Sequence, residues 1–464
     1  MRKRERAVCC VVALGVAAAL GSAGCEDERP GPADASGPEV FRLNAARTGW
    51  DGSPPPRNLK LRWSYRPEYA HFLATPTVSG GRVFAAETVL DITSSFGAVV
   101  CLDAESGEVE WRTATVEGRD LKGIQSSPVL SPDGRSVLVG EGLAFDTDMQ
   151  LVCLDAATGE VRWTVAVPNN HVLGAPAVRG DLVVFGAGAI ERNDHLPIPY
   201  AGYVAGVRLS DGQEMWRLAV VDPESSPAIG ADGTVYVGSG LPLEDQEGTG
   251  AAVYALRSES DEALKAAGRE RVLWKTPTPY GAVGPVTLAG DLVLVGCGRS
   301  YWGFAVLDTE VPLAGAVVAL DRKTGAVRWT AETRDTVGAA IAVAGGRAFC
   351  PVGGHPEYSM AEEPKGELVA LDLSDGKPLW RWTPAGGAPV LAPPAVAGSA
   401  VYAVASDGML AVLDAGDGRV AETVWLNAQG EAGEGFLSTS GPTVAGGRLY
   451  VGSETGGLRC YGPQ

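Results

Sequence analysis

The sequence predicts an all-β fold: an eight-bladed β-propeller of four-stranded antiparallel blades, closed by an N-terminal strand that completes the last blade. Three observations predict it. A turn motif ending in tryptophan recurs as CLDAESGEVEW (from Cys101), CLDAATGEVRW (Cys153), VRLSDGQEMW (Val207), ALDRKTGAVRW (Ala319) and ALDLSDGKPLW (Ala370), always with the tryptophan four residues after the glycine. Successive tryptophans lie roughly 50 to 58 residues apart, the period of a sheet unit repeated around a ring. The composition, with 62 Gly, 31 Pro and 45% hydrophobic residues in 464, belongs to a turn-rich globular chain rather than a disordered one.

From the N-terminus, MRKRER is a basic stretch, AVCCVVALGVAAAL an apolar run too short for an ordinary transmembrane helix, and GSAGC a small-residue cleavage site ending at Cys25. We read residues 1–24 as a lipoprotein signal peptide and Cys25 as the lipidation site; Ser22, where Leu is commonest in such signals, leaves ordinary secretory cleavage as the alternative. Residues 25–40, polar and proline-rich, form a flexible tether, and 41–464 the propeller. Lipidation predicts a bacterial envelope location, most simply the outer membrane facing the periplasm. Without residues 1–24 the chain keeps 34 basic and 55 acidic residues, a net charge of about −21. Such a surface repels phosphate backbones, so nucleic acid is excluded as a partner.

NLKLRWSYRP, from Asn58, is an orphan strand carrying Trp63. Eight proline-type inner strands with a following valine-rich strand come next, beginning at Thr75, Ser126, Gly174, Ser225, Val283, Gly338, Ala392 and Ser440, with Ala340 in place of proline in the sixth. Alternating apolar residues and Gly or Asp-Gly turns make each unit a set of strands A to D. The Asp-x-x-Thr-Gly segment is the C–D turn, where glycine supplies a positive φ. Tryptophan on strand D fills the space between neighbouring blades and has one N–H to satisfy. Two units depart from the pattern: the fourth carries a short helical insertion before Trp274, and the seventh has Trp425 seven residues after Gly418. The chain ends after strand C of blade 8, so the orphan strand supplies the missing strand D and removes an open edge.

Cys101, Cys153 and Cys460 fall where other units carry alanine and read as small buried hydrophobes. Cys297 and Cys350 lie at non-equivalent positions, and no structural disulfide is expected.

Loop lengths divide the two faces of the ring. The A–B and C–D turns are short, whereas the B–C segments are long in six units, from Glu87, Gly142, Ala189, Gly240, Arg299 and Gly354. His71 and His171 in D–A connections and His195 and His355 in B–C segments all map to the elaborated face, with Asp146, Asp148, Tyr301 and Trp302. Those eight residues form the candidate binding face, since long segments on a rigid scaffold commonly carry function. No pair has metal-ligand spacing, and Asp146-Thr147-Asp148 is too short for a calcium loop, so no metal is expected. Four scattered histidines and no Gly-x-Ser-x-Gly elbow leave no nucleophile with an evident base.

The repeats resemble the pyrroloquinoline quinone (PQQ) repeat family over essentially the whole mature chain. The resemblance implies the eight-bladed fold. It leaves activity open, because the family contains quinone-dependent alcohol and glucose dehydrogenases as well as non-catalytic BamB-type lipoproteins of outer-membrane protein assembly. Its alcohol dehydrogenases hold the quinone over calcium or a lanthanide, with an Asp base and typically a disulfide between adjacent cysteines. Here the only adjacent pair, Cys9 and Cys10, lies in the signal peptide, and no Cys-x-x-Cys-His haem motif is present. The expectation is therefore a monomeric, lipid-anchored propeller without cofactor that binds an envelope or outer-membrane protein. The alternatives are an atypical dehydrogenase using PQQ and calcium, or a propeller that senses a ligand or carbohydrate.

Overall fold

The computed structural model describes residues 42–44, 47–90, 94–143, 146, 148–188, 201–240, 250–299, 314–354, 366–427 and 438–463. Eight four-stranded antiparallel sheets follow one another along the chain, in the order A-B-C-D that the repeats predict. Blade 1 comprises Thr77–Ser79, Arg82–Leu90, Ser95–Asp103 and Val109–Thr113. The last blade takes Thr443–Ala445, Arg448–Val451 and Leu458–Gly462 from the C-terminus and its strand D, Lys60–Tyr65, from the N-terminus, with Trp63 opposite Cys460.

The hydrophobic core is divided among the blade interfaces rather than gathered at the centre. In blade 2, Leu151 and Cys153 of strand C face Phe185 and Val207 of blade 3, while the alternate residues Val152 and Leu154 face Phe84 and Val99 of blade 1. That two-sided burial follows from the period-two geometry of a strand, and it explains why strands B and C carry almost unbroken apolar runs. Cys101, Cys153 and Cys460 sit in successive interfaces, each separated from the next by a blade. All five described cysteines are buried free thiols, and burial pushes Cys297 up to about 12.

Each repeat tryptophan has a second task. Its indole N–H donates to the backbone carbonyl at the C–D turn of the next blade: Trp63 to Ala104 (3.1 Å), Trp111 to Ala156 (3.1 Å), Trp163 to Leu209 (2.7 Å) and Trp216 to Ser258 (3.1 Å). The series continues with Trp274 to Arg322 (3.2 Å), Trp329 to Leu373 (3.0 Å) and Trp380 to Ala415 (3.1 Å). The ring lies on the motif glycine of that turn. A Cβ on Gly159, for example, would fall 2.5 Å from Trp111 Cε3. The glycine is thus required twice, for its φ of +74° and for the close approach of the indole.

Blade 7 corrects the expectation for Trp425. Glu422, four residues after Gly418, occupies the tryptophan register opposite Val412, and Trp425 is 51% exposed at the end of its strand. The reason lies in the closure. Blade 8 has no C–D turn of its own chain, so no turn carbonyl waits for an indole. Instead Glu422 accepts the Leu59 N–H at 2.7 Å and so tethers the entry to the closing strand.

The insertion of blade 4 is helix α1 (Asp261–Ala267), capped by Ser260, whose hydroxyl accepts the Ala263 N–H, and ended by Gly268 in the left-handed region. The segment from Glu87, expected as a long loop, is instead a prolonged hairpin, since strand B runs to Leu90 and strand C starts at Ser95.

Residues 42–44 and 47–51 were expected only as the start of the domain, and they lie across the axis of the ring. Thr48 O accepts Val396 N–H (2.8 Å) and Gly49 O accepts Val444 N–H (2.7 Å), on the inner strands of blades 7 and 8. On the far side, Arg47 donates to Val286 O (2.6 Å) and Pro227 O (2.9 Å) on the inner strands of blades 5 and 4. Arg42 reaches the carbonyls of Pro393 and Pro394 and that of Arg47. Burial, reinforced at Arg42 by the neighbouring Arg47 charge, pushes both guanidiniums down to about 9, still charged at neutral pH. The chain leaves the axis past the A–B turns, where Asp51 accepts Gly446 N–H and Ser53 accepts Gly447 N–H.

Candidate functional site

Inner strands begin at the elaborated face, and in blades 1, 2, 4 and 8 their first residues carry hydroxyls that bond to neighbouring blades. Ser127 Oγ accepts Thr75 N–H (3.0 Å), Ser226 Oγ accepts Ala175 N–H (2.9 Å), and Thr75 Oγ1 accepts Gly441 N–H (3.0 Å). Ser126, Ser225 and Ser440 donate to carbonyls of the adjacent blades. The repeated Ser-Ser-Pro and Thr-Pro segments therefore stitch neighbouring inner strands together. They also line a cavity at the channel mouth with about 940 Å³ of empty space open to solvent.

Glu224, in the connection from blade 3 to blade 4, lines this cavity and is 8% exposed. One carboxyl oxygen, Oε1, lies 2.5 Å from His171 Nε2, and the other, Oε2, is buried with no hydrogen-bond partner. His171 is fully buried, with Nδ1 3.1 Å from the Asp146 carbonyl. Both ring nitrogens thus face an oxygen, one a backbone carbonyl and the other a carboxylate. Gly188 makes room for the group: a Cβ there would meet Glu224 Cγ at 2.5 Å and Asp222 Oδ1 at 2.7 Å. Gln125, in the connection from blade 1 to blade 2, lines the same cavity, and its Oε1 is likewise buried without a partner.

Three other buried carboxylates among the described residues are answered by arginine. Glu87 receives Arg112 (2.7 Å) and the Tyr65 hydroxyl (2.8 Å), Glu141 receives Arg119 (2.5 Å), and Glu367 receives Arg381 (2.5 Å). Burial, then the hydrogen bond to Glu87, raises the Tyr65 phenol above its ordinary range. These pairs brace the outer strands and leave no reactive group free.

Of the candidate binding face, the structure places His71, His171, Asp146 and Asp148; His195, His355, Tyr301 and Trp302 lie outside the described residues, as does Cys25. His71 and His171 occupy equivalent positions, each pairing through its backbone with the end of strand B, at Thr88 and Gly188. They do not converge: His71 Nδ1 contacts Glu454 O (2.7 Å) at the junction of blades 8 and 1, whereas His171 faces Glu224. Asp146 accepts from Ser95 Oγ (3.0 Å) and Leu143 N–H (2.8 Å), joining the blade 1 hairpin to blade 2, and Asp148 accepts Asn169 N–H (2.7 Å). Sequence reasoning missed Glu224, Gln125 and Arg47. The doubled serines were the available signal, because a hydroxyl on an innermost strand needs a partner and finds it on the neighbouring blade.

A family profile described as "Outer membrane protein assembly factor BamB" matches residues 60–301 and 313–464. The chain belongs to this family. BamB of Xanthomonas campestris pv. campestris is 27% identical over 342 residues, covering 65% of this chain and 71% of that one. Quinohemoprotein alcohol dehydrogenase ADH-IIG of Pseudomonas putida is 30% identical over 179 residues, 36% of this chain, and the match spans only 23% of the dehydrogenase. A europium-containing methanol dehydrogenase structure shares the fold, with a TM-score of 0.65 at 15% identity over 92% of this chain and 91% of its own.

The dehydrogenase relatives make a quinone and its metal the groups to test against this BamB-family channel. PQQ is a flat tricyclic dione with three carboxylates, and needs cations and an aromatic or apolar surface to lie on. Among the described residues lining the mouth there is neither a lysine, an arginine nor an aromatic ring, and the one ionisable group, Glu224, is acidic. No described group of three His, Cys, Asp or Glu residues is arranged to hold a metal ion. The described donor set does not fit the quinone.

Proposed function

We propose that this BamB-family chain is an exported, lipid-anchored, non-catalytic propeller that binds an envelope protein through its elaborated face, with outer-membrane protein assembly as its setting. The observation that carries the reading is the channel mouth. Its described lining holds hydroxyls and the Glu224 carboxyl but no cation or aromatic ring, unsuited to a tricarboxylate cofactor, while residues 42–44 and 47–51 lie across the axis below it. A rigid ring with one decorated face is a scaffold for recognition. The dehydrogenase names among the relatives favour a second reading, an atypical quinone enzyme.

Native mass spectrometry of the protein purified from its own membranes in mild detergent separates the two. A lipidated chain without quinone, copurifying with an outer-membrane protein, is the expected result. A mass increment equal to PQQ plus a metal ion would overturn the binding reading.

A further inference from the structure

We propose that the cleft beside Tyr69, on the elaborated face at the junction of blades 8 and 1, binds a neutral oligosaccharide, with one pyranose ring stacked on the tyrosine. The proposal does not depend on the identity of any protein partner. The connection from the closing strand to blade 1 is a tight turn, Pro67-Glu68-Tyr69-Ala70, in which Ala70 N–H donates to Pro67 O at 3.4 Å. Its third residue, Tyr69, has φ +60°. That position favours glycine or asparagine, because a Cβ crowds the backbone in the left-handed region. The matching turn before blade 3, Val167-Pro168-Asn169-Asn170, shows the ordinary solution: Asn170 N–H donates to Val167 O at 3.1 Å, and Asn169 takes φ +60°. Tyr69 is the one aromatic among the described non-glycine residues with positive φ. It is also 76% exposed, so packing within the ring does not offset the conformation. A strained side chain that buries little in its own fold is placed for something outside it.

The surroundings define the ligand. The turn and Glu454, in the B–C connection of blade 8, border a cleft with about 1040 Å³ of empty space open to solvent. His71, half-buried, lines the cleft, and its Nδ1 lies 2.7 Å from the Glu454 carbonyl. A carbonyl oxygen only accepts, so Nδ1 carries the hydrogen and Nε2 of the neutral ring is an acceptor. Among the described residues nothing donates to that nitrogen. Arg66 adds donors to the same cleft, and Glu68 and Glu454 add acceptors. One guanidinium thus stands with two carboxylates, on a chain of net charge −18. An anion is repelled by that field, and a cation must share the cleft with Arg66. A neutral ligand rich in hydroxyls can use donors and acceptors alike. The C–H bonds on one face of a pyranose meet the electron-rich face of the phenol ring, and a few polar groups around an aromatic surface then fix its orientation.

Isothermal titration of the full chain with cellotriose, triacetylchitotriose and the anionic trigalacturonate tests the site. The expected result is saturable binding of at least one neutral trisaccharide, about tenfold or more tighter than trigalacturonate, kept in Tyr69→Trp and weakened about tenfold or more in Tyr69→Ala. Tyr69→Asn separates binding from structure. It should lose the sugar as Tyr69→Ala does, yet raise the urea midpoint, because asparagine tolerates the left-handed conformation that strains tyrosine; a side chain serving only the fold would lower it. No saturable heat with either neutral trisaccharide up to about 10 mM, equal or tighter binding of trigalacturonate, an affinity unchanged in Tyr69→Ala, or no rise in the urea midpoint of Tyr69→Asn would overturn the proposal.

Discussion

Two glycines of blade 5 separate the demand of the backbone from the demand of the tryptophan above it. Gly290, in the A–B turn, has φ +60°, and a Cβ there meets nothing within 4 Å. Gly325, in the C–D turn, has φ +72°, and its Cβ would lie 2.6 Å from Trp274 Cδ2 and 2.8 Å from Thr276 Oγ1. Alanine pays the left-handed conformation at both sites, about 1–2 kcal/mol. At Gly325 it must also displace an indole packed between blades, about 1–3 kcal/mol more, and it strains the bond from Trp274 Nε1 to Arg322 O, 3.2 Å long and worth about 1 kcal/mol. Gly290→Ala should therefore cost about 1–2 kcal/mol and Gly325→Ala about 3–6 kcal/mol. Urea unfolding followed by far-ultraviolet circular dichroism measures both, with equal slopes required before midpoints are compared; if unfolding is not two-state, unfolding rates replace the midpoints. Equal destabilisation by the two variants, within about 0.5 kcal/mol, would refute the claim that the motif glycine serves the neighbouring tryptophan.

Three further outcomes are expected. Glu422→Ala should cost about 1–2 kcal/mol in urea melts by orphaning the Leu59 N–H, and Glu422→Trp should not restore it, because blade 8 offers no turn carbonyl; full rescue by tryptophan would contradict the closure argument. Arg47→Met should free the segment across the axis, seen as new protease cleavage between residues 42 and 57 at a protease level that leaves the wild-type chain intact. Acid should weaken the turns: hydrogen bonds from Arg328 and Thr324 hold the Asp321 carboxyl below its ordinary 3.8, so its contribution is present above that pH and is lost as pH falls through the lower folded value. Asp321→Asn should accordingly flatten the decline in urea midpoint below about pH 4, and an unchanged decline would count against the turn carboxylate.

The blades were legible because each repeats two separate signals, alternating apolar strands and a turn whose glycine and tryptophan serve adjacent units. The closing strand was legible as well, since NLKLRWSYRP is a strand with a tryptophan and no partner nearby in the sequence. Trp425 misled because residue type was weighed above register: counting four residues from Gly418 reaches Glu422, and only the missing turn of blade 8 explains a carboxylate there. The axial segment had no periodicity to read. Its meaning lies in contacts from Arg47 to residues 180 and 239 positions away. Glu224 and Gln125 were hidden for a related reason, standing in short irregular connections where only the closed ring shows that they share a cavity. The histidines were visible as residue types, but whether an imidazole is solvated or buried against a carboxyl, as His171 is, depends on the neighbouring blade.

Closure through the first strand also sets an order of events. Lys60–Tyr65 leaves the ribosome before any other strand of the ring and pairs with Leu458–Gly462, the last of the ring's strands to emerge. Until then Trp63 has neither its sheet nor Tyr450 to pack against, and the axial arginines lack the carbonyls of blades 4, 5 and 7 that hold them. Bringing ends so distant together adds only a logarithmic entropy cost, but it makes completion all-or-none. The first strand of the ring is folded only by the last, so a ring interrupted anywhere before Leu458–Gly462 is an open arc with two apolar edges.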